Sequence, residues 1–224
     1  YQQVLDTANI IRTGEQAAMV KRVGLRISKA VEAYLIEQGL EKRVEGFDWQ
    51  FNLIDDNNVN AWCMSGGKVA FYTGIMPICK DETGVAVVMG HEIAHAIARH
   101  GNERVSQSLA LQGLATGLDL ALLIKEKPEV ARQVVNTAVG IGGQVGMLAF
   151  SRKHESESDE MGLTFMAMAG YNPSEAPKFW DRMSQIGGER PPVMLSTHPD
   201  PGKRQEDLQK LLPKAMVIYN QNKR

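Results

Sequence analysis

Residues 83–104 constrain the fold most, because they combine a helical pattern with an almost wholly apolar surface. The apolar residues fall on every side of the predicted helix: Val85, Val87, Val88, Met89, Ile93, Ala94 and Ile97. A helix that is apolar all round is buried in the centre of a fold. The same helix carries His91, Glu92 and His95. These three side chains need strong partners, because an unpaired polar group in a protein core is costly.

The spacing of these polar residues predicts a metal site. His91 and His95 are four residues apart, so both imidazoles lie on one face of the helix, one turn from each other. Two imidazoles placed in this way can bind one tetrahedral zinc ion, and Glu92 can reach a water on that ion. Zinc lowers the pKa of such a water to about 7, and Glu92 can take its proton. The alternative is a surface helix rich in His and Glu, which the apolar neighbours argue against.

His100 is a less suitable ligand for this site. It follows His95 by five residues, which places it about 140° further round the helix. The sequence therefore predicts that His100 packs or forms hydrogen bonds, and that a third ligand comes from another part of the chain.

The stretch SRKHESESDE, residues 151–160, offers that ligand at the start of a later helix. Glu155 and Asp159 are four residues apart and share a helical face, whereas Glu157 points elsewhere. One of the two carboxylates can complete the metal site, and the other can accept a hydrogen bond from a liganding imidazole. The alternative is an acidic first turn, which the helix dipole favours.

The remaining patterns predict an α+β protein that is mainly helical, with one domain over residues 1–224. Its parts are an N-terminal helical region (1–46), a small sheet (47–80) and a helical part with the metal site (81–224). Apolar periods predict further helices over residues 15–38, 105–124, 129–150, 152–169, 173–186 and 201–220. Alternation predicts a strand over 47–54 and a hairpin-like pair around the glycines at 66 and 67. Residues 187–201 are predicted to form a loop.

Composition narrows the classes of function. The formal net charge of -1 argues against a non-specific nucleic-acid binder, which needs a basic surplus. Cys63 and Cys79 allow one disulfide at most and no zinc ribbon.

Residues 134–150 carry no charge, but Asn136, Gln144 and four glycines favour a partly buried helix over a membrane span. The chain begins without methionine, so a signal peptide or lipid anchor would be out of view.

Four stretches resemble family 48 of the zinc metallopeptidases, the group that contains HtpX and the CAAX prenyl proteases. They are NAWCMSGG with VAFYTGIM, GHEIAHAIARHG, SRKHESESD and STHPDPGKR. The resemblance extends from about residue 59 to residue 204. It is strongest to the soluble bacterial branch typified by the periplasmic proteases BepA and LoiP.

The resemblance implies a zincin-like catalytic domain whose small sheet packs on several helices. The edge strand of that sheet, near Asn60, Ala61 and Trp62, is implied to hold an extended substrate by main-chain pairing. The family usually has other residues at the positions of Trp62, Cys63 and Ser65. The local shape of this edge can therefore differ from that of the family.

The resemblance also implies one Zn2+ per chain, with Glu155 as the third ligand beside His91 and His95. Asp159 and Arg204 are implied to support the ligands. His198 is implied to approach the metal, where two roles stay open. It either stabilises the oxyanion of the tetrahedral intermediate or caps the metal in a resting state.

The leading hypothesis is a zinc-dependent endopeptidase with Glu92 as general base, acting on extended or misfolded proteins in envelope quality control. The implied location is the periplasm or cell envelope, with membrane association through an N-terminal anchor. Protein or peptide substrates are the expected partners, and nucleic acid is not. One alternative is a chaperone-like binding module with a largely structural zinc site, and another is a hydrolase of non-peptide substrates.

Overall fold

A computed structural model describes residues 1–125, 127–186, 192–198 and 201–223. Its helices are α1 (Gln2–Thr7), α2 (Glu15–Glu37), α3 (Met76–Cys79), α4 (Glu82–Ala98), α5 (His100–Ile124), α6 (Glu129–Met168), α7 (Glu175–Ser184), α8 (Val193–Thr197) and α9 (Pro201–Asn222). Its strands are β1 (Ile10–Ile11), β2 (Gln50–Ile54), β3 (Ala61–Met64) and β4 (Lys68–Tyr72). Short 3-10 helices span Glu41–Val44 and Thr73–Ile75. The predicted α+β, mainly helical class is confirmed.

The chain forms two compact units. The larger unit contains Tyr1–Ala98 and Glu155–Arg224, and the smaller unit contains Arg99–His154. One catalytic domain over residues 1–224 stays a prediction.

The sheet has the strand order β1-β2-β4-β3. The predicted hairpin is confirmed, since β3 and β4 pair antiparallel, and Gly66 and Gly67 between them have φ values of 87° and 80°. Glycine adopts such positive values without steric strain. β2 pairs parallel to β4, and β1 pairs antiparallel to β2. β3 is therefore an edge strand, and the substrate edge inferred at Asn60, Ala61 and Trp62 lies at its start.

The core of the larger unit lies around α4, which packs against α2 and the sheet. Residues 84–94 of α4 are all buried, as its apolar surface predicted. The period of α2 is also confirmed, because Val23, Ile27, Val31 and Leu35 form one buried face. The functional motif is therefore fixed at the centre of the unit.

Three predictions about the secondary structure are wrong. α4 ends at Ala98 instead of continuing to residue 104, because Arg99 adopts the left-handed conformation with φ 62°. The helices predicted over 129–150 and 152–169 are one continuous helix, α6, since no glycine or proline interrupts residues 147–160. The predicted loop over 187–201 contains the short helix α8, while residues 187–191 and 199–200 lie outside the described residues.

The smaller unit consists of α5 and the first part of α6. Asp119 accepts hydrogen bonds from Arg132 Nη2 at 2.8 Å and from Asn136 Nδ2 at 3.0 Å. Large apolar side chains are exposed at Val105, Leu109, Leu114, Leu120, Leu123, Ile124, Val130 and Val134. By length and composition alone, α5 could cross a membrane. Within residues 134–150, the described side chains are exposed or half-buried.

Candidate metal centre

The candidate centre lies in the larger unit, between α4, the second half of α6 and the residues around α8 and α9. His91, Glu92 and His95 come from α4, and Glu155 comes from α6. His198 follows α8 directly. The structure brings all five side chains together, and each of the five except His95 is buried.

The nitrogens and oxygens of His91, His95 and Glu155 have the spacing of metal ligands. His91 Nε2 lies 3.0 Å from His95 Nε2 and 3.2 Å from Glu155 Oε2. His95 Nε2 lies 3.4 Å from Glu155 Oε1. Neighbouring ligand atoms around a tetrahedral zinc ion are about 3.3 Å apart, because each bond is about 2.0 Å long. The three side chains therefore fit one zinc ion.

His198 supplies a fourth donor to the same centre. Its Nδ1 lies 3.1 Å from His91 Nε2 and 2.9 Å from Glu155 Oε2. Its Nε2 lies 3.4 Å from Glu92 Oε1. His198 can therefore reach the metal position and the candidate base at the same time.

Two buried carboxylate oxygens support a cation at this centre. Glu155 Oε1 and Glu92 Oε1 have no hydrogen-bond partner among the described residues. A buried oxygen without a partner is costly, and carboxylate oxygen is a common zinc ligand. A bound zinc ion and its water would satisfy both oxygens.

Asp159 and Arg204 hold the candidate ligands from behind. Asp159 Oδ1 lies 3.0 Å from His91 Nδ1, and Asp159 Oδ2 accepts a hydrogen bond from Arg204 Nε at 2.8 Å. Arg204 Nη1 lies 3.1 Å from Glu155 Oε2. The hydrogen bond to Asp159 places the His91 proton on Nδ1 and leaves the Nε2 lone pair for a metal.

Trp180 on α7 is a supporting residue that sequence analysis did not identify. The guanidinium carbon of Arg204 lies 3.6 Å from the centroid of the Trp180 ring, and the ring is fully buried. A cation over the face of an indole ring is attracted by its quadrupole. The apolar face of α7 indicates that Trp180 lies in the core. The sequence pattern of α7 does not predict that Arg204 is its neighbour.

The environment shifts the pKa values of the central groups. Burial lowers the pKa of His95 to about 3, so this imidazole is neutral and its lone pair is available. Burial and Arg204 act against a charge on His91, but hydrogen bonds to Asp159 and Glu155 prevail and raise its pKa to about 9. A metal ion bound at Nε2 would therefore displace the proton from that nitrogen and leave the one on Nδ1. Burial raises the pKa of Glu92, which makes it a better proton acceptor than an exposed glutamate.

The carboxylates of Glu155 and Asp159 both stay ionised. Burial acts to raise the pKa of Glu155, but the imidazoles of His198, His91 and His95, which lie within 3.4 Å of its oxygens, hold it well below the usual range. Burial acts in the same direction on Asp159, and Arg204 and His91 lower its pKa overall. The centre therefore presents negative charge to a cation.

The edge strand β3 lies close to the candidate base. The pKa of the Cys63 thiol is raised by burial and also by the charge of Glu92. Next to Cys63, Trp62 Nε1 donates a hydrogen bond of 3.4 Å to Tyr72 Oη, and Ala61 is buried. The main chain of Asn60 extends the pairing of this edge with β4, since its carbonyl accepts a hydrogen bond from Tyr72 N at 3.1 Å.

Comparison with known proteins identifies relatives over most of the chain. The model of peptidase family M48 matches residues 21–212. Mitochondrial metalloendopeptidase OMA1 of Schizosaccharomyces pombe is 32% identical over 86% of this chain and 54% of its own length. OMA1 of Saccharomyces cerevisiae is 34% identical over 87% of this chain and 56% of its own length.

A third relative is bacterial. The beta-barrel assembly-enhancing protease of Escherichia coli is 29% identical over 71% of this chain and 33% of its own length. The chain thus spans between a third and little more than half of these relatives.

Proposed function

The chain belongs to peptidase family M48, and from this premise we propose that it is a zinc-dependent endopeptidase acting on extended or misfolded proteins. One observation carries the proposal: the donor atoms of His91, His95 and Glu155 lie at tetrahedral spacing beside the buried Glu92 carboxylate. The metalloendopeptidase names of the relatives support it.

The proposed ligands of Zn2+ are His91, His95 and Glu155. When bound there, zinc would supply a Lewis acid and lower the pKa of a bound water to about 7. Asp159 keeps the His91 ring in the tautomer that presents Nε2, and Arg204 orients both Asp159 and Glu155. These supports make the site ready before a substrate arrives.

Glu92 is the proposed general base. Its carboxylate accepts a proton from the attacking water and passes it to the nitrogen of the leaving amine. Burial raises the pKa of Glu92, which matches the proton affinity that this double transfer needs. No side-chain nucleophile is required.

His198 is proposed to cap the centre in the resting state, since its Nδ1 lies beside two of the three ligands. With zinc bound, a catalytic site would need an open position, so His198 would have to move before hydrolysis. The same four donors also favour the alternative function, a chaperone-like module with a structural zinc site, because structural sites are closed by four protein ligands. A structural site has no use for Glu92, which favours the enzyme.

The substrate is proposed to pair with β3 as an added strand. β3 pairs with β4 on one side only, at the edge of the sheet. Main-chain pairing requires an extended segment and reads little side-chain sequence. Unfolded or misfolded proteins supply such segments, and the start of β3 at Asn60, Ala61 and Trp62 would receive them.

We propose the cell envelope as the place of action, in protein quality control and with membrane association through an N-terminal anchor. The relatives include both a mitochondrial metalloendopeptidase and a beta-barrel assembly-enhancing protease. Fractionation of the producing cells tests the location, and recovery in the cytosol alone would contradict it.

Cleavage of unfolded casein tests the enzymatic proposal. The wild type should cleave casein, and Glu92→Gln should lose about a hundredfold or more of the rate at unchanged zinc content, because an amide cannot accept the proton. Glu157→Gln is the matched control, since Glu157 is exposed, and it should cleave as the wild type does. A fully active Glu92→Gln would remove Glu92 from the mechanism. A wild type that suppresses aggregation without cleavage would support the chaperone-like alternative.

A further inference from the structure

The five histidines of the chain fall into two separate groups of metal-ligand side chains. His91, His95 and His198 belong to the candidate centre described above. His100 and His154 form the second group together with Glu103, and all three lie in the unit Arg99–His154. The proposed peptidase mechanism uses none of these three side chains.

The second group combines two buried imidazoles with a partly exposed carboxylate. His100 and His154 are each 3% exposed, and their rings stack with centroids 3.9 Å apart and planes inclined by 16°. Glu103 Oε2 lies 2.7 Å from His154 Nε2, and 51% of the Glu103 side chain is exposed. One ligand atom from each of the three residues can be chosen so that all lie within 4.8 Å of one another.

We propose that His100, Glu103 and His154 form a second binding site for zinc or a chemically similar divalent cation. Two imidazoles and one carboxylate are a donor set that first-row divalent metals favour, zinc among them. The exposed part of Glu103 gives the ion a path from solvent and leaves a position for water. This proposal is independent of the peptidase activity.

The stacked rings have to separate slightly when the ion binds. Imidazole lone pairs lie in the ring planes, so two parallel rings do not point at a common atom. In a tetrahedral zinc site the donor atoms are about 3.3 Å apart. The three ligand atoms lie within 4.8 Å of one another, so they have to approach by about 1.5 Å at most. Binding would replace the ring stacking and the Glu103–His154 contact with bonds to the ion.

A bound ion would connect two helices of the smaller unit. His100 is the first residue of α5, directly after the left-handed Arg99, and Glu103 lies one turn further on. His154 belongs to α6. A metal held by residues of both helices would stabilise their pairing, because it binds the folded unit and not the unfolded chain.

Elemental analysis tests the proposal. The zinc content of each protein is measured after dialysis against micromolar zinc. The double variant His91→Ala/His95→Ala removes the candidate catalytic centre, and it should still retain about one ion per chain. Adding His154→Ala should remove that ion, whereas adding Lys153→Ala, an exposed neighbour on α6, should not. A double variant that binds no zinc, or a triple variant that keeps it, would overturn the proposal.

A milder variant covers the outcome in which the buried substitutions prevent folding. Glu103→Gln changes a partly exposed side chain in the otherwise intact protein, and it should weaken binding of the second ion at least tenfold. A competitive zinc titration of Glu103→Gln should show the weaker binding of the second ion, and the rate of casein cleavage should be unchanged. If the titration curves of Glu103→Gln and the wild type superimpose, the proposal is wrong. The three side chains would then form only a ring stack and an ion pair.

Discussion

Gly90 of α4 and Gly162 of α6 face each other so closely that a Cβ added to Gly90 would lie 2.8 Å from the Gly162 carbonyl oxygen. A Cβ on Gly162 would lie 3.0 Å from the backbone nitrogen of His91. The two helices thus meet backbone to backbone at the turn that presents His91. Glu155 is seven residues before Gly162, two turns along α6, so this contact sets the distance between the motif and its proposed third ligand.

Gly162→Ala should therefore damage both stability and metal binding. The added methyl group has only backbone atoms of α4 to displace, so the helices must separate. We expect the free energy of unfolding to fall by roughly 1–3 kcal/mol and zinc affinity to fall with it. Chemical denaturation and zinc titration measure the two effects.

Gly117→Ala on α5 is the matched control, because a Cβ there meets nothing within 4 Å. Alanine is the better helix former, so this change should be neutral or stabilise the protein by up to about 1 kcal/mol. If Gly162→Ala behaves like Gly117→Ala, the close crossing does not position the site.

His198→Ala should raise the rate of casein cleavage while three ligands keep the metal. The prediction follows from the 2.9 Å and 3.1 Å distances of His198 Nδ1 to Glu155 and His91, which suit a cap. If capped molecules outnumber open ones about ten to one, removing the cap raises the rate about tenfold. A lower turnover number at unchanged zinc content would instead assign His198 to transition-state stabilisation.

Arg204→Gln should destabilise the protein and weaken zinc binding, because Asp159 and Glu155 lose their shared buried cation. Removal of one partner from a buried ion pair costs about 3–5 kcal/mol. Thermal unfolding and zinc titration measure the loss. Lys214→Gln breaks an exposed ion pair with Glu160 between the same two helices and should cost less than about 1 kcal/mol. Equal effects of the two changes would contradict the supporting role of Arg204.

Cys63 and Cys79 are free thiols, which resolves the disulfide that the sequence left open. Burial raises the pKa of both thiols, so both are protonated at neutral pH. Cys79 is fully buried and Cys63 half-buried, so both should react more slowly with a thiol reagent than an exposed thiol, and Cys79 the more slowly of the two. We expect slow labelling of the native protein and rapid labelling of two thiols after unfolding. Rapid labelling of either native thiol, or fewer than two after unfolding, would contradict this.

Much of the arrangement around the site could be predicted from the sequence. A helix that is apolar on every side has to be central, and α4 is. The four-residue spacing of Glu155 and Asp159 placed them on one face, and the structure brings both to His91 while Glu157 is exposed. Their roles as ligand and support remain proposals.

Other features depend on contacts that no local pattern encodes. Nothing in the sequence marks Arg99 as left-handed, since arginine rarely adopts that conformation. The stacking of Arg204 on Trp180 and the crossing of Gly90 with Gly162 join residues far apart in the chain. The acidic stretch within residues 151–160 has the composition of a first helical turn, although it lies in the middle of α6.

The difference in zinc content between the wild type and Glu155→Gln tests the central claim most directly. Both proteins would be dialysed against the same limiting free zinc and measured by elemental analysis, with Glu157→Gln as the control. The account predicts that Glu155→Gln holds about one ion per chain fewer than the wild type, since the centre loses one of its three ligands. Glu157→Gln should match the wild type. Equal zinc in the wild type and Glu155→Gln, or a loss in Glu157→Gln alone, would contradict the account.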